Sequence, residues 1–298
     1  MKNSFYQIRI ISILVLIISS IGILKAQVKY EVQLSDYSKI HVIAYMETSE
    51  NRLYMPIQIP NDLPNGPASF VRNLNIHDQN GNVAILNAFN KEDFYEWHLE
   101  NHEEKIVVEY DLLIEHYLYN RPFGLEEVAN REEDGVMIIG KYLFIIPSWD
   151  EGNSNNVEFI LPESWKVSTA RTNNNSQMKF QRVKGIDLRE NVIYIGEHKE
   201  ETIKIGGVNL RVIIGASLEA KRETILYYLK PNMVAIRDLF GGTPRDYYLI
   251  VFNEGEIAGG AFNQSYSMLF EKPISDNSSV LWGHGMIHET FHLWNGRN

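Results

Sequence analysis

The sequence has no cysteine among its 298 residues. The protein therefore has no disulfide framework, and a lipid-anchored cysteine is excluded. Basic residues are outnumbered, since 28 Lys and Arg stand against 38 Asp and Glu, for a formal net charge of −10. This balance argues against nucleic acid as a partner. No internal repeat is present, and low-complexity sequence is limited to two short polar runs, Gly152–Asn156 and Asn173–Ser176.

The one long apolar run lies at the N-terminus. Lys2 and Arg9 precede an uncharged segment at Ile10–Leu24, and Lys25-Ala26-Gln27 follows it. A basic stub, a short apolar run and a small residue at the cut are typical of a secretory signal peptide. We therefore expect residues 1–26 to be removed and the protein to be secreted or periplasmic, with no membrane contact beyond the signal peptide. An uncleaved membrane anchor is the alternative, because the small-x-small cleavage pattern is imperfect.

The length that remains suits two domains, which we place at residues 27–166 and 167–298. In the first of them, apolar residues alternate with other residues at period two, and turn-rich stretches separate these segments. The alternating segments are Val28–Val32, Ile40–Ala44, Leu53–Ile57, Ile106–Leu112 and Val157–Leu161. Short strands at this spacing predict an antiparallel β-sandwich. The acidic cluster of Glu126, Glu127 and residues 132–134 lacks the ligand spacing of a calcium site and indicates a solvated loop.

The second half of the chain combines strands with a helix. Strands are predicted at Val192–Ile195, Thr202–Ile205, Leu210–Ile213, Asp246–Phe252 and Ser265–Phe270. Between the third and fourth of these, Ser217 is the predicted cap of a helix that Gly241–Pro244 closes. Pro231 lies inside this helix and predicts a kink or a break into two helices.

The most informative stretch lies near the C-terminus, where residues 288–292 read His-Glu-Thr-Phe-His. Apolar residues around it recur at helical spacing, and we predict a helix over about residues 280–294. Residues four apart on a helix lie on one face, so His288 and His292 can direct both imidazoles at one metal ion. This is the H-E-x-x-H pattern of zinc sites, in which Glu289 takes a proton from the metal-bound water. The alternative is an amphipathic helix whose histidines are ordinary polar-face residues.

The run HETFHLWNGRN resembles the start of the catalytic signature of the glycyl aminopeptidase type of metallopeptidase, peptidase family sixty-one. In that family, which belongs to the gluzincins, the zinc helix continues as H-x-W-N, and the matching positions here are His292, Trp294 and Asn295. The order of elements upstream also matches, so the resemblance covers nearly all of the mature chain. It implies an α+β protein, in which an N-terminal antiparallel β-sandwich is followed by an incomplete thermolysin-like α+β catalytic lobe. It also implies an aminopeptidase-like zinc metallopeptidase that hydrolyses peptide or protein substrates.

The resemblance implies a third zinc ligand, a Glu on the next helix, well downstream of the second histidine. The sequence stops six residues after His292, so we interpret the chain as truncated after the H-E-x-x-H helix. His284 is no substitute, because eight residues of helix rise about 12 Å, too far for both end imidazoles to share an ion. We expect His284 to face solvent or a neighbouring polar group. Two imidazoles alone form a weak site, because a catalytic zinc takes three protein ligands.

A second motif reads Gly259-Gly260-Ala261-Phe262. In the family resembled, a Gly-Gly-x-Glu-His element at this place runs along the edge of the cleft, and its Glu receives the amino terminus of the substrate. The resemblance therefore implies that these four residues bind substrate, with Phe262 in the position of the Glu. An aromatic ring cannot replace the charge pair between a carboxylate and an ammonium. The alternative is that Gly259 and Gly260 form only a flexible loop.

The sequence supports two functions of different classes. The first is a secreted zinc metallopeptidase with His288 and His292 as metal ligands and Glu289 as the catalytic residue. The second is a non-catalytic extracytoplasmic binding protein, or an inactive remnant of such a peptidase, that lacks the third ligand. A Glu on a helix after the motif would distinguish the first function from the second.

Overall fold

The computed structural model describes residues 28–57, 63–114, 129–147, 154–171, 178–205, 207–255, 258–271 and 278–295. The predicted signal peptide and the polar run Asn173–Ser176 lie outside these residues. Sheet predominates and a few helices accompany it, so the fold is α+β, as the sequence predicts. No helix in the described part of the chain is both long and apolar enough to cross a membrane.

The first half of the described chain consists of short strands. They are β1 (Val28–Gln33), β2 (Lys39–Glu47), β3 (Arg52–Pro56), β4 (Val71–Asp78), β5 (Gly81–Asn82), β6 (Ile85–Lys91), β7 (Phe94–Leu99), β8 (Lys105–Leu113), β9 (Asn130–Arg131), β10 (Gly135–Ile139), β11 (Ser154–Ile160), β12 (Lys166–Thr169), β13 (Lys179–Lys184) and β14 (Val192–Gly196). A 3-10 helix at Gly66–Phe70 and two short helices, α1 (Gly140–Leu143) and α2 (Gly185–Arg189), lie between them. In β2 every second residue is buried, as period two requires when one face lies in the core. The strands predicted from this alternation are confirmed.

These strands form three sheets. The first has seven strands in the order β13-β11-β1-β2-β8-β4-β5, the second has the order β3-β7-β6, and the third has the order β12-β14-β10-β9. Neighbouring strands are antiparallel except β1 and β11, which pair in parallel from Val28 with Asn155 to Gln33 with Ile160. The antiparallel sandwich thus contains one parallel pair.

Two buried tyrosines hold the segment that follows β10 against the seven-stranded sheet. The hydroxyl of Tyr30 donates to the carbonyl of Ile145 at 2.9 Å, and that of Tyr110 donates to the carbonyl of Leu143 at 2.7 Å. Burial raises the pKa of both hydroxyls, so they remain neutral donors. The ring of Tyr30 also packs 4.7 Å from that of Phe144. Both buried hydroxyls therefore have a hydrogen-bond partner.

The second half of the chain forms a five-stranded sheet with two long helices. Its strands are β15 (Glu200–Ile205), β16 (Val208–Ile214), β17 (Tyr247–Glu254), β18 (Ala258–Phe262) and β19 (Ser265–Phe270), in the order β15-β16-β17-β19-β18. Strand β17 pairs in parallel with β16 and β19, while β15 and β18 are antiparallel to their neighbours. The helices are α3 (Arg222–Leu239), which follows a 3-10 helix at Ala216–Lys221, and α4 (Ser278–Asn295). The predicted strands and the C-terminal helix are confirmed.

The two faces of this sheet pack against different layers. Tyr248, Ile250 and Phe252 of β17 lie in a core that the sheet shares with α3 and α4. Leu249 and Val251, which alternate with them, pack against β10 and β14 of the four-stranded sheet. Because both faces are buried, β17 is a nearly continuous apolar run. The helices and the N-terminal sheets therefore cover opposite sides of the same sheet.

The strands that follow residue 166 remain attached to the N-terminal sheets. Strand β13 pairs with β11, and β14 pairs with both β10 and β12. A boundary after residue 166 therefore leaves paired strands on both of its sides. The division into residues 27–166 and 167–298 stays a prediction.

Glu132 joins the two halves of the chain. Its side chain is 6% exposed, and its carboxylate accepts hydrogen bonds from the hydroxyl of Ser217 and the backbone N–H of Glu254, both at 2.8 Å. The interpretation of the acidic cluster as a solvated loop is therefore wrong for Glu132, whose charge is met by donors from the other half. The predicted helix cap at Ser217 is also wrong, because the hydroxyl of Ser217 donates to Glu132 and α3 begins only at Arg222.

Helix α3 runs through Pro231 as one element, so the predicted break into two helices is wrong. Pro231 lies on the exposed face of the helix, as does Tyr227 one turn earlier. A proline removes the hydrogen bond to the carbonyl four residues before it. On an exposed face water can satisfy that carbonyl, and the helix continues.

Candidate metal and catalytic site

Helix α4 presents both histidines of the H-E-x-x-H motif on one side. The Nε2 atoms of His288 and His292 are 3.0 Å apart, and their ring planes meet at 84°. His288 is exposed and His292 is half-buried. Both Nε2 atoms therefore lie close together on the same face of the helix, as the spacing of four residues predicts.

This separation fits two ligands of one zinc ion. With zinc–nitrogen bonds of roughly 2.0–2.1 Å and tetrahedral angles, two ligand nitrogens lie roughly 3.4 Å apart, close to the distance found here. Imidazole nitrogen is also a donor that zinc prefers. Within the described ranges no three His, Cys, Asp or Glu side chains cluster as a metal site. The histidine pair thus offers two nitrogens to a metal ion, and the described residues place no third ligand beside it.

Glu289 lies next to His288 in sequence but faces the sheet. Its side chain is 7% exposed, and a Cβ built on Gly259 of β18 would lie 2.6 Å from its Oε1. The following residue, Thr290, is fully buried, and its hydroxyl lies 3.5 Å from that of Tyr266 on β19. Packing between helix and strand therefore holds the carboxylate of Glu289 against β18, one residue along the helix from His288.

The Gly-Gly motif forms strand β18 at the edge of the five-stranded sheet, where β19 is its only partner among the described strands. The alternative of a flexible loop is therefore wrong. Gly259 and Ala261 face α4, whereas Gly260 and Phe262 alternate onto the opposite face. The ring of Phe262 is 4% exposed and packs in the core shared with the N-terminal sheets. The structure thus brings Gly259 and Ala261 to the side of Glu289 and leaves the ring of Phe262 on the other side.

Lys141 lies beside Phe262 and was not identified from the sequence. Its Nζ is 5.8 Å from the centroid of the Phe262 ring and 5.0 Å from that of Tyr142. A cation therefore stands near the position where the resemblance implies an anionic Glu. No motif includes Lys141, and it lies far from Phe262 in sequence, so only the folded chain shows the contact.

His284 is exposed, as the sequence predicts. It lines an open groove along α4 together with both histidines of the motif, and Ile287 and Phe291 also line this groove. Apolar side chains therefore flank the imidazoles of His288 and His292.

A glycine and a tryptophan let α4 pack closely on β19. A Cβ on Gly285 would lie 2.3 Å from Cε of Met268 on β19, so a larger residue would force one of them to shift. The ring of Trp282 lies 4.8 Å from that of Phe270 on the same strand. These contacts fix the height of the helix above the sheet, and with it the position of the histidines.

Three solved structures with a similar fold come from peptidase families. The aminopeptidase N family protein from Idiomarina loihiensis is 15% identical with a TM-score of 0.69, and the match covers 88% of this chain and 47% of that chain. The M1 zinc metallopeptidase from Deinococcus radiodurans is 13% identical with a TM-score of 0.50, covering 91% and 63%. Aminopeptidase A from Legionella pneumophila, in complex with aspartic acid, is 10% identical with a TM-score of 0.55, covering 93% and 35%. These likenesses show a common fold, and this chain spans about half the length of the first structure.

The sequence itself matches one family model. No curated protein matches the chain significantly. Residues 25–190 match the Peptidase M61 N-terminal domain, and this range is more than half of the chain. The chain therefore belongs to peptidase family M61, a family of metallopeptidases.

Proposed function

We propose that this chain is part of a zinc-dependent metallopeptidase that hydrolyses peptide bonds. The observation that carries the proposal is the 3.0 Å approach of the Nε2 atoms of His288 and His292, on a helix that also buries the carboxylate of the adjacent residue, Glu289. The fold that it shares with the M1 zinc metallopeptidase from Deinococcus radiodurans supports zinc as the metal.

His288 and His292 would hold the zinc ion, with a third ligand from outside the described residues. When bound, zinc supplies a Lewis acid that polarises a carbonyl and lowers the pKa of water. Glu289 accepts the proton of the attacking water and donates it to the leaving amine. Because Glu289 is packed between α4 and β18, its carboxylate needs little further ordering before it acts.

The edge strand β18 suits an extended peptide as substrate. Its outer edge has no partner among the described strands, so a peptide can add there through backbone hydrogen bonds. Gly259 and Ala261 carry almost no side chain on the face of α4, which lets the peptide approach the carboxylate of Glu289 closely. We therefore propose peptides or proteins as substrates, bound mainly through their backbone.

Replacing Glu289 with Gln tests this function in a form of the protein that supplies the third ligand. We expect hydrolysis to fall by about 10²- to 10⁴-fold, because the amide has a similar shape but cannot accept the proton. Zinc binding and the fold should persist. Glu223→Gln, at an exposed position on α3, is the matched control and should leave the rate unchanged.

The outcome also separates the two classes of function. Unchanged hydrolysis in Glu289→Gln would show that another group accepts the proton. Stoichiometric zinc without hydrolysis in the unaltered protein would favour the non-catalytic binding protein or inactive remnant, for which the two-histidine arrangement of the described residues is the supporting observation.

We also propose that the protein is exported. The basic stub at Lys2 and Arg9 and the uncharged segment Ile10–Leu24 support a cleaved signal peptide. N-terminal sequencing of protein exported from a bacterial host should give a chain that starts near Gln27. Recovery of intact Met1 from the membrane fraction would support an uncleaved anchor instead.

A further inference from the structure

Gly259 has no room for a side chain because of one neighbour. A Cβ at this position would lie 2.6 Å from Oε1, 3.0 Å from Cδ and 3.1 Å from Cγ of Glu289. These three nearest atoms all belong to the same side chain. A methyl group and an oxygen overlap at 2.6 Å, so adding the methyl forces a displacement.

The carboxylate is the group that would move. It is the far end of a flexible side chain, whereas β18 is fixed by its pairing with β19 from Ala258 with Leu269 to Phe262 with Ser265. Helix α4 is fixed by the close packing of Gly285 on the same strand. A methyl at residue 259 would therefore turn the carboxylate of Glu289 away from β18 and leave the backbone in place.

We propose that Gly259 is a positioning residue for Glu289. The space that Gly259 leaves lets the carboxylate rest against the edge strand, one residue from His288 and beside the edge that suits a peptide. This role rests on the proposed function. It differs from the role of letting a substrate backbone approach, because Gly259 would act through Glu289, the proton acceptor. Gly259 itself need not touch the substrate.

Crystal structures of metal-free variants test the placement directly. In Gly259→Ala we expect the Glu289 carboxylate to be turned away from β18, with the Nε2 atoms of His288 and His292 as close as before. Gly283→Ala on α4 is the matched control, because its Cβ would meet the ring of Tyr228 at an ordinary 3.6 Å. A carboxylate that stays in place in Gly259→Ala, while β18 shifts, would overturn the proposal.

If Gly259→Ala does not fold, the double variant with Glu289→Ala decides the question. Removing the carboxylate takes away the three atoms that the methyl meets, so folding should return. A double variant that also fails to fold would overturn the proposal, since the defect would then lie in the strand.

Kinetic measurements give a second test, in a form of the protein that hydrolyses peptides. Gly259→Ala should lower kcat by about 10²-fold, as expected for a misplaced catalytic group, and leave KM and zinc affinity nearly unchanged. Added to Glu289→Gln, the same substitution should cause no further loss. An equal loss in both backgrounds would overturn the proposal. Absence of zinc binding or hydrolysis in an otherwise unaltered form that supplies the third ligand would contradict the proposed function, while the metal-free structures would still test the role of Gly259.

Discussion

The indole Nε1 of Trp294 donates a 2.8 Å hydrogen bond to the carbonyl oxygen of Gly242. This contact joins the last turn of α4 to the turn that ends α3. In that turn the N–H of Gly242 donates to the carbonyl of Arg237 at 3.0 Å, and Gly241 has a φ of 72°, which favours glycine. The ring of Trp294 also stacks on Phe240. The tryptophan that follows the histidine motif therefore anchors the helix that carries it.

We predict that Trp294→Phe destabilises the protein by about 1 kcal/mol, because a smaller aromatic ring remains at this position but the carbonyl of Gly242 loses its donor. Urea unfolding measures the change. Tyr227→Phe on α3 is the control, since this side chain is 73% exposed and its loss of a hydroxyl should have no effect. Equal stability of Trp294→Phe and the unaltered protein would contradict the anchoring role.

His198 lies at one end of a buried chain of hydrogen bonds. Its Nε2 is 2.7 Å from Oγ of Ser168, whose hydroxyl donates to Oε2 of Glu200. Arg211 donates to both oxygens of the same carboxylate, at 2.6 and 2.7 Å. His198 is 1% exposed, and its Nδ1 meets no hydrogen-bond partner in the described part of the chain. Burial, together with the nearby charge of Lys166, lowers the pKa of His198 to about 3.

This pKa predicts loss of stability in acid. The unfolded chain protonates His198 below its ordinary pKa of about 6.5, whereas the folded protein keeps it neutral until about 3. Stability from the neutral imidazole is thus present above pH 6.5 and falls as the pH drops toward 3, by about 1.4 kcal/mol per pH unit well below 6.5. In urea unfolding between pH 7 and pH 4, His198→Gln should lose less stability than the unaltered protein. An identical pH dependence of the two proteins would contradict the assignment.

The surroundings of Phe262 predict how a peptidase of this kind treats the substrate terminus. We expect little preference for free over acetylated amino termini, because Phe262 stands in the sequence position of the amine-receiving carboxylate and its ring is buried on the face of β18 away from Glu289. The measurement is kcat/KM for a matched pair of fluorogenic peptides, one of them acetylated. A strong preference for the free amine would contradict this prediction and point to another carboxylate, such as Glu254 at the end of β17.

Much of the fold follows from local sequence pattern, and the exceptions are contacts between distant segments. The alternation in β2 and the apolar run of β17 each show which faces are buried, because side-chain direction is fixed by the strand period. The parallel pairing of β1 with β11 has no such signal, since no local pattern shows which strand lies alongside. Local pattern is also insufficient at Ser217, because its hydroxyl could cap a helix or donate to the distant carboxylate of Glu132.

The candidate site likewise has features that the sequence pattern predicts and features that it does not. The convergence of His288 and His292 was predictable, because a spacing of four on a helix fixes which side chains share a face. The face of β18 that Phe262 occupies was not predictable, because it depends on how an edge strand sits between α4 and the N-terminal sheets. The contact between Gly259 and Glu289 depends on the same packing, although both residues belong to motifs visible in the sequence.

Zinc affinity tests the central claim most directly. Competition with a chromogenic chelator should be measured for the unaltered chain and for His288→Ala, His292→Ala and His284→Ala. With two imidazoles and no third ligand placed by the described residues, we predict weak binding that either substitution in the motif abolishes and that His284→Ala leaves intact. Nanomolar or tighter affinity would show that the chain holds a further ligand. Zinc binding that survives either His288→Ala or His292→Ala would contradict the two-histidine site.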